Sequence, residues 1–291
     1  MKAANISRRT VSCILLLLLL LTMCGCSSSS GAASAEEKAE SKLSLDVYFF
    51  AAGKADAILL TTEKSAVLID CGEKGFGQTI LEKLSEKKID RIDYLIVTHF
   101  DQDHVGGAAK VINNIPIGTV LQSNCPKDSE EYEKYVKALG NAGLKPVTVS
   151  KTTDFTLDGV RFSVDPPRKD DYKNDDSNNS SLIVTVTCGE KTLLFMGDAE
   201  TERLKEYLSY TTLDCDLIKI PHHGGEDSQM DELIAATKPE YAVICCSGEE
   251  PDITATRSVL ESAGVQIFLT SHGPVTATCD GKELAVSENK Q

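Results

Sequence analysis

Two hundred and ninety-one residues, 41% of them hydrophobic and 25% charged, suit one large globular domain or two small ones and exclude collagen-like, coiled-coil and wholly disordered chains. With 30 Lys and Arg against 44 Asp and Glu the formal net charge is -14, which disfavours tight, sequence-indifferent coating of nucleic acid. The absence of Trp and an aromatic content of 5% leave little from which to build stacking platforms for bases or sugars, so a small polar site is expected.

The chain opens with Lys2, Arg8 and Arg9 ahead of an apolar run from Val11 to Met23 that includes the seven leucines Leu15 to Leu21. Charge followed by an apolar stretch is the plan of a secretory signal, and the run falls short of the roughly 20 residues that a membrane-spanning helix needs. Met23-Cys24-Gly25-Cys26-Ser27 follows directly and resembles a bacterial lipobox. The small Gly25 makes Cys26 the better candidate for lipidation, while Cys24 has the more usual Leu21 and Thr22 upstream; a plain cleaved signal is the alternative. The expected organisation is a lipoprotein signal peptide over 1–26, a flexible tether over 27–42 made of Ser, Ala, Glu and Lys, and a domain over 43–288. Loss of Lys2, Arg8 and Arg9 makes the mature chain more acidic still, so a lipid rather than surface charge must hold it to an anionic membrane.

From Leu43 onward, apolar runs at Leu45–Phe50, Ala57–Thr61 and Ala66–Ile69 predict an antiparallel meander, and Gln78–Lys87 an amphipathic helix. Ile92–Val97 reads as a buried strand that hands over to a polar loop at Thr98. Glu130–Asn141 reads as a helix, and Thr156–Val164 returns to strand around the turn Asp158-Gly159. Lys169–Asn179 is a solvated loop by composition. Leu182–Thr187 and Thr192–Phe195 pair as a hairpin ending at Gly197-Asp198, and Glu202–Leu208 is helical. Strands at Leu217–Ile220, Tyr241–Cys245 and Val265–Thr270 alternate with helices at Met230–Ala236 and Thr254–Ala263, and a hairpin around Asp280-Gly281 closes the chain. The result is one domain of two similar halves, each with strands followed by helices. Its seven cysteines, Cys71, Cys125, Cys188, Cys215, Cys245, Cys246 and Cys279, are odd in number, contain no CxxC pair and suit buried thiols rather than a disulfide framework.

Four of the five histidines fall in two clusters, His99-Phe100-Asp101-Gln102-Asp103-His104 and His222-His223. Two carboxylates at alternate positions repel one another if they converge, unless a cation lies between them. A polar turn explains Asp and Gln but not paired His beside paired Asp followed by Gly106-Gly107.

Thr98 to Gly107 resembles the signature of the metallo-β-lactamase superfamily, in the His-x-Asp-x-Asp-His form of the ComEC competence-protein hydrolase domain and of phosphorylcholine esterases. Val47–Leu60 with Gly53-Lys54-Ala55-Asp56, Leu68–Gly72, Asn178–Leu182, Gly197-Asp198 and Ile218–Gly224 are similar to further family motifs in the same order, although Ala55 stands where the family has a glycine. The resemblance implies a four-layer αββα sandwich with a dinuclear centre of divalent ions, Zn or Mn. It places His99 and Asp101 on one ion, Asp103, His104 and His223 on the other, and Asp198 between them. Two such ions acidify a bridging water for attack on a phosphate or carbonyl. Asp103 and His222 are then the catalytic candidates, His222 either protonating the leaving group or steadying the site. Asp70 and Asn179 are expected beside the ligands or the substrate, Asp56 beneath them, and His272 away from them.

The sequence departs from the family in having Asp101 where zinc-rich members have His, no His between His104 and His222, and Pro251-Asp252-Ile253 where ComEC-like domains carry His-Pro. Oxygen-heavy ligation shifts preference toward manganese or another hard ion. The expected activity is hydrolysis of a phosphodiester or related phosphoester outside the cytoplasm. DNA is the substrate the ComEC likeness suggests and the net charge opposes, so nuclease and small-phosphoester hydrolase stand level, with β-lactam hydrolysis a distant third. A non-catalytic surface lipoprotein stabilised by its metal is the alternative from another class, and a metal-free adhesive role is the weakest.

Overall fold

Leu45, Val47 and Phe49 alternate with exposed Asp46 and half-buried Tyr48 along strand β1 (Leu45–Phe49), so one apolar face turns toward a core. The computed structural model describes residues 43–169, 172, 177–248 and 253–289; the signal, the tether, Cys24, Cys26 and Asp252 lie outside the described residues. β2 (Ile58–Thr61) and β3 (Ala66–Ile69) follow as antiparallel neighbours, the meander that the sequence pattern predicts. Pairing then becomes parallel through β4 (Ile92–Val97), β5 (Ile117–Gln122) and β6 (Val147–Thr148). The connections carry helices α1 (Gly77–Glu86), α2 (Gln102–Val105), α3 (Ala108–Ile112) and α4 (Glu130–Ala142), because parallel neighbours require a crossover.

A second sheet repeats the scheme. β7 (Thr153–Leu157), β8 (Val160–Asp165), β9 (Ile183–Cys188) and β10 (Lys191–Phe195) are antiparallel. β11 (Leu217–Lys219), β12 (Tyr241–Ile244) and β13 (Gln266–Leu269) then add in parallel, with α5 (Thr201–Leu208), α6 (Met230–Thr237) and α7 (Thr254–Ser262) between them. The last hairpin, β14 (Val275–Cys279) and β15 (Leu284–Glu288), returns to the first sheet and pairs β14 with β1, giving the orders 15-14-1-2-3-4-5-6 and 13-12-11-10-9-8-7.

Three apolar layers hold these parts together. Val47, Phe49, Val184, Val186 and Phe195 fill the space between the sheets, Ile80, Leu84, Val111 and Tyr135 cover the outer face of the first, and Leu204, Leu233 and Leu260 that of the second. The architecture is the expected four-layer αββα sandwich. Two details differ from the sequence reading. The polar stretch after β4 is not a plain loop: Gln102–Val105 forms one helical turn, too short to leave an apolar period in the sequence. β5, β6 and α3 were also not apparent from the pattern.

Candidate metal centre

The site is assembled where β3, β4, β10 and β11 end. Asp70, just past β3, takes a left-handed backbone (φ 55°) and turns its buried carboxylate onto the end of β4, accepting from Thr98 N at 2.8 Å and Thr98 Oγ1 at 2.6 Å. The following loop is bonded to α2 through Cys71 N to His104 O, 2.7 Å, and Gly107 N to Gly72 O, 3.1 Å. A β-carbon on Gly107 would overlap the Cys71 carbonyl, so this close approach requires glycine.

His104 is fully buried, with Nδ1 2.8 Å from Asp70 Oδ2 and Nε2 3.1 Å from Asp198 Oδ2. His223 also sits at a left-handed position (φ 52°); its Nδ1 lies 3.0 Å from the Cys245 carbonyl, which leaves Nε2 3.2 Å from Asp103 Oδ2 and 3.1 Å from Asp198 Oδ2. Non-glycine residues at positive φ cost of order 1–3 kcal/mol each, and Asp70, His222 and His223 bear that cost where the candidate ligands converge. Asp103, His104, Asp198 and His223 each offer a donor atom within 4.8 Å of the others.

His99, at 0% exposure, packs its ring 4.1 Å from that of His104. Its Nδ1 is 3.2 Å from Thr98 Oγ1, and its Nε2 has no hydrogen-bond partner and lies 4.0 Å from Asp101 Oδ1. That same Asp101 oxygen accepts from Lys127 Nζ at 2.5 Å and from Ser177 Oγ. The six expected ligands thus come together as a close group of four with His99 and Asp101 adjoining.

Burial and the neighbouring His104 push His99 down to about 3, leaving it a neutral imidazole with a free lone pair. Burial opposes charge on His104 and His223 too, but Asp198 and their other carboxylate neighbours outweigh it, raising His104 well above its ordinary value and His223 to about 9. Burial works against ionised Asp198 and Asp103, yet the histidines hold Asp198 well below the usual carboxylate range and Asp103 at about 2. Buried carboxylates facing imidazoles, and the buried Nε2 of His99 outside any hydrogen bond, fit a divalent cation as partner.

Sequence reasoning missed three residues. Lys219, fully buried in β11, places its ammonium on Asp56, 2.9 Å from the Gly197 carbonyl and 3.4 Å from Asp198 Oδ1. The signal was a lysine inside the apolar run Leu217 to Ile220. Glu200 Oε1 lies 2.8 Å from His222 Nδ1 and accepts from Asn178 Nδ2, and this bond raises His222 from its ordinary value. Lys127 was not singled out at all. Of the other expected residues, Asp70 and Asp56 lie beneath the ligands, Asn179 accepts from Arg203 N at the start of α5, and His272 lies apart, 3.5 Å from Glu288.

Two carboxylate-rich sheet ends carrying clustered imidazoles define a metal-binding member of the αββα sandwich proteins. The sequence matches the metallo-beta-lactamase superfamily over residues 51–249, and the chain belongs to that superfamily. It is 29% identical over 218 residues to ComE operon protein 3 of Bacillus subtilis, covering 66% of this chain and 27% of that protein. It is 28% identical over 195 residues to competence protein ComA of Neisseria gonorrhoeae, covering 66% and 26%. The chain therefore spans about a quarter of these relatives. The metallo-beta-lactamase fold protein YhfI of Bacillus subtilis superposes with a TM-score of 0.55 at 9% identity, over 84% of this chain and 100% of that one.

Proposed function

We propose that the chain is a membrane-anchored, extracytoplasmic, metal-dependent hydrolase of phosphodiester or related phosphoester bonds. The observation that carries this reading is the convergence of Asp103, His104, Asp198 and His223 beside the partnerless Nε2 of His99. Asp103, His104 and His223 would hold one divalent ion, His99 and Asp101 a second, and Asp198 would serve both. Zn or Mn bound there polarises an ester oxygen and acidifies water toward neutral pH, and the carboxylate-rich set favours the harder ion. Asp70 and the Cys245 carbonyl fix the two imidazoles so that their Nε2 atoms face Asp198, where they would be ready to hold an ion. Asp103, partly open to solvent, would orient the attacking water by accepting its hydrogen bond, while His222 would donate a proton to the leaving oxygen, with Glu200 holding its ring in place.

Kinship with competence proteins supports DNA as a substrate, and the net charge of -14 supports a small phosphoester instead. The test is the full chain loaded with Zn or Mn and assayed on bis-p-nitrophenyl phosphate and on DNA, alongside Asp198→Ala with its metal content measured. Metal-dependent turnover lost in Asp198→Ala supports the proposal, and the better substrate separates the two classes. Bound metal without turnover on either overturns it in favour of a metal-stabilised binding lipoprotein. For the anchor, Cys26 is the proposed lipid acceptor: palmitate labelling in a bacterial host is expected to vanish in Cys26→Ser, and retained label would transfer the site to Cys24.

A further inference from the structure

We propose that Lys127 guards the His99–Asp101 metal position and, when an ion displaces it, becomes the ammonium that binds the phosphate oxygens of the substrate. The inference rests on the two-ion reading above. Asp101 turns Oδ1 toward His99, and Lys127 Nζ lies on that oxygen at 2.5 Å together with Ser177 Oγ. An ion joining His99 Nε2 to Asp101 needs the same oxygen. Two cations sharing one carboxylate oxygen repel one another at short range, so ammonium and ion exclude each other there.

His99 Nε2 is buried without a partner, so breaking the Lys127 pair lets that nitrogen gain an ion. Lys127 lies between β5 and α4 with its side chain 39% exposed, and its four-carbon stem lets the ammonium swing away without moving the backbone. Lys219, also an ammonium at the site among the described residues, is enclosed by Asp56, Gly197 and Asp198 and cannot reach a ligand. Glu200 and Asp103, each partly exposed beside His222 and His223, repel anions. A released Lys127 supplies the compact positive charge that a phosphate needs at such a rim.

One substitution then moves two affinities in opposite directions. In Lys127→Met the second equivalent of Mn²⁺ is expected to bind about fivefold more tightly, the loss of a partly exposed ion pair. Inorganic phosphate is expected to bind the Mn-loaded protein about tenfold more weakly, and Lys127→Arg is expected to keep both values near wild type. The measurement is calorimetric titration of the full chain with Mn²⁺, then with inorganic phosphate and, in a parallel arm, a short oligodeoxynucleotide. A tenfold loss in one arm identifies whether small or polymeric phosphate is held. Weaker Mn²⁺ binding in Lys127→Met, unchanged affinity in both phosphate arms, or no second equivalent in any variant overturns the proposal. None of these readouts requires turnover, so failure of the hydrolase reading registers separately.

Discussion

The group Asp103, His104, Asp198 and His223 and its neighbour His99–Asp101 are built from the same residue types and differ in what surrounds them. In the first, each imidazole has one nitrogen fixed by protein, Asp70 for His104 and the Cys245 carbonyl for His223, and the other directed at shared carboxylates. In the second, one imidazole lacks a partner at Nε2 and its carboxylate is held by a lysine and a serine. Preorganisation comes from the surrounding shell rather than from the ligands alone. On the proposed two-ion reading, the contrast makes the first group the tight position and the second the conditional one.

The largest expected effect strikes the charge balance beneath the tight group. Lys219→Met leaves Asp56 and Asp198 buried without their ammonium, and removing one partner of a buried pair costs about 3–5 kcal/mol. Denaturant unfolding of the metal-free protein is expected to report that loss, with added Mn²⁺ restoring part of it. Asp70→Asn should be next: it removes the carboxylate oxygen shared by His104 Nδ1 and Thr98 Oγ1, and competition with a chelator is expected to read about 10–100-fold weaker metal binding at the position His104 serves.

Protons divide the two positions more finely. Below about 9 His223 is protonated in the ion-free protein, and His104 is raised well above its ordinary value too, so an ion must expel protons and affinity at this group rises with pH up to and through about 9. His99, pushed down to about 3, is already neutral between pH 5 and 8, and loading beside it releases no proton from its ring. Calorimetry in two buffers of different ionisation enthalpy is expected to show proton release for the first equivalent only. The smallest effect is reserved for His272→Ala, which touches neither position: stability within about 0.5 kcal/mol of wild type, with both metal affinities unchanged.

Much of this was legible in the sequence because the informative contacts are short in chain terms. His99 to His104 lie within one turn after a strand, and the Gly106-Gly107 pair announces the tight loop that follows. Strand boundaries at Ala66–Ile69 and Ile92–Val97 were readable because the first run is continuously apolar and the second is broken only by Asp93. What escaped depends on distance. Lys127 meets Asp101 across 26 residues and Lys219 meets Asp56 across far more, and neither lysine carries a local mark of its partner. The return of β14 to β1 was equally invisible, since a closing hairpin reads the same whichever sheet receives it.

That return has a consequence for biogenesis. Until residues 275–279 emerge, β1 is a bare edge whose Leu45, Val47 and Phe49 lack a neighbour on one side, although it is among the first strands synthesised. Completion of the first sheet therefore waits on the closing hairpin, and a chain interrupted before residue 275 is expected to present β1 as an open edge for pairing with another strand.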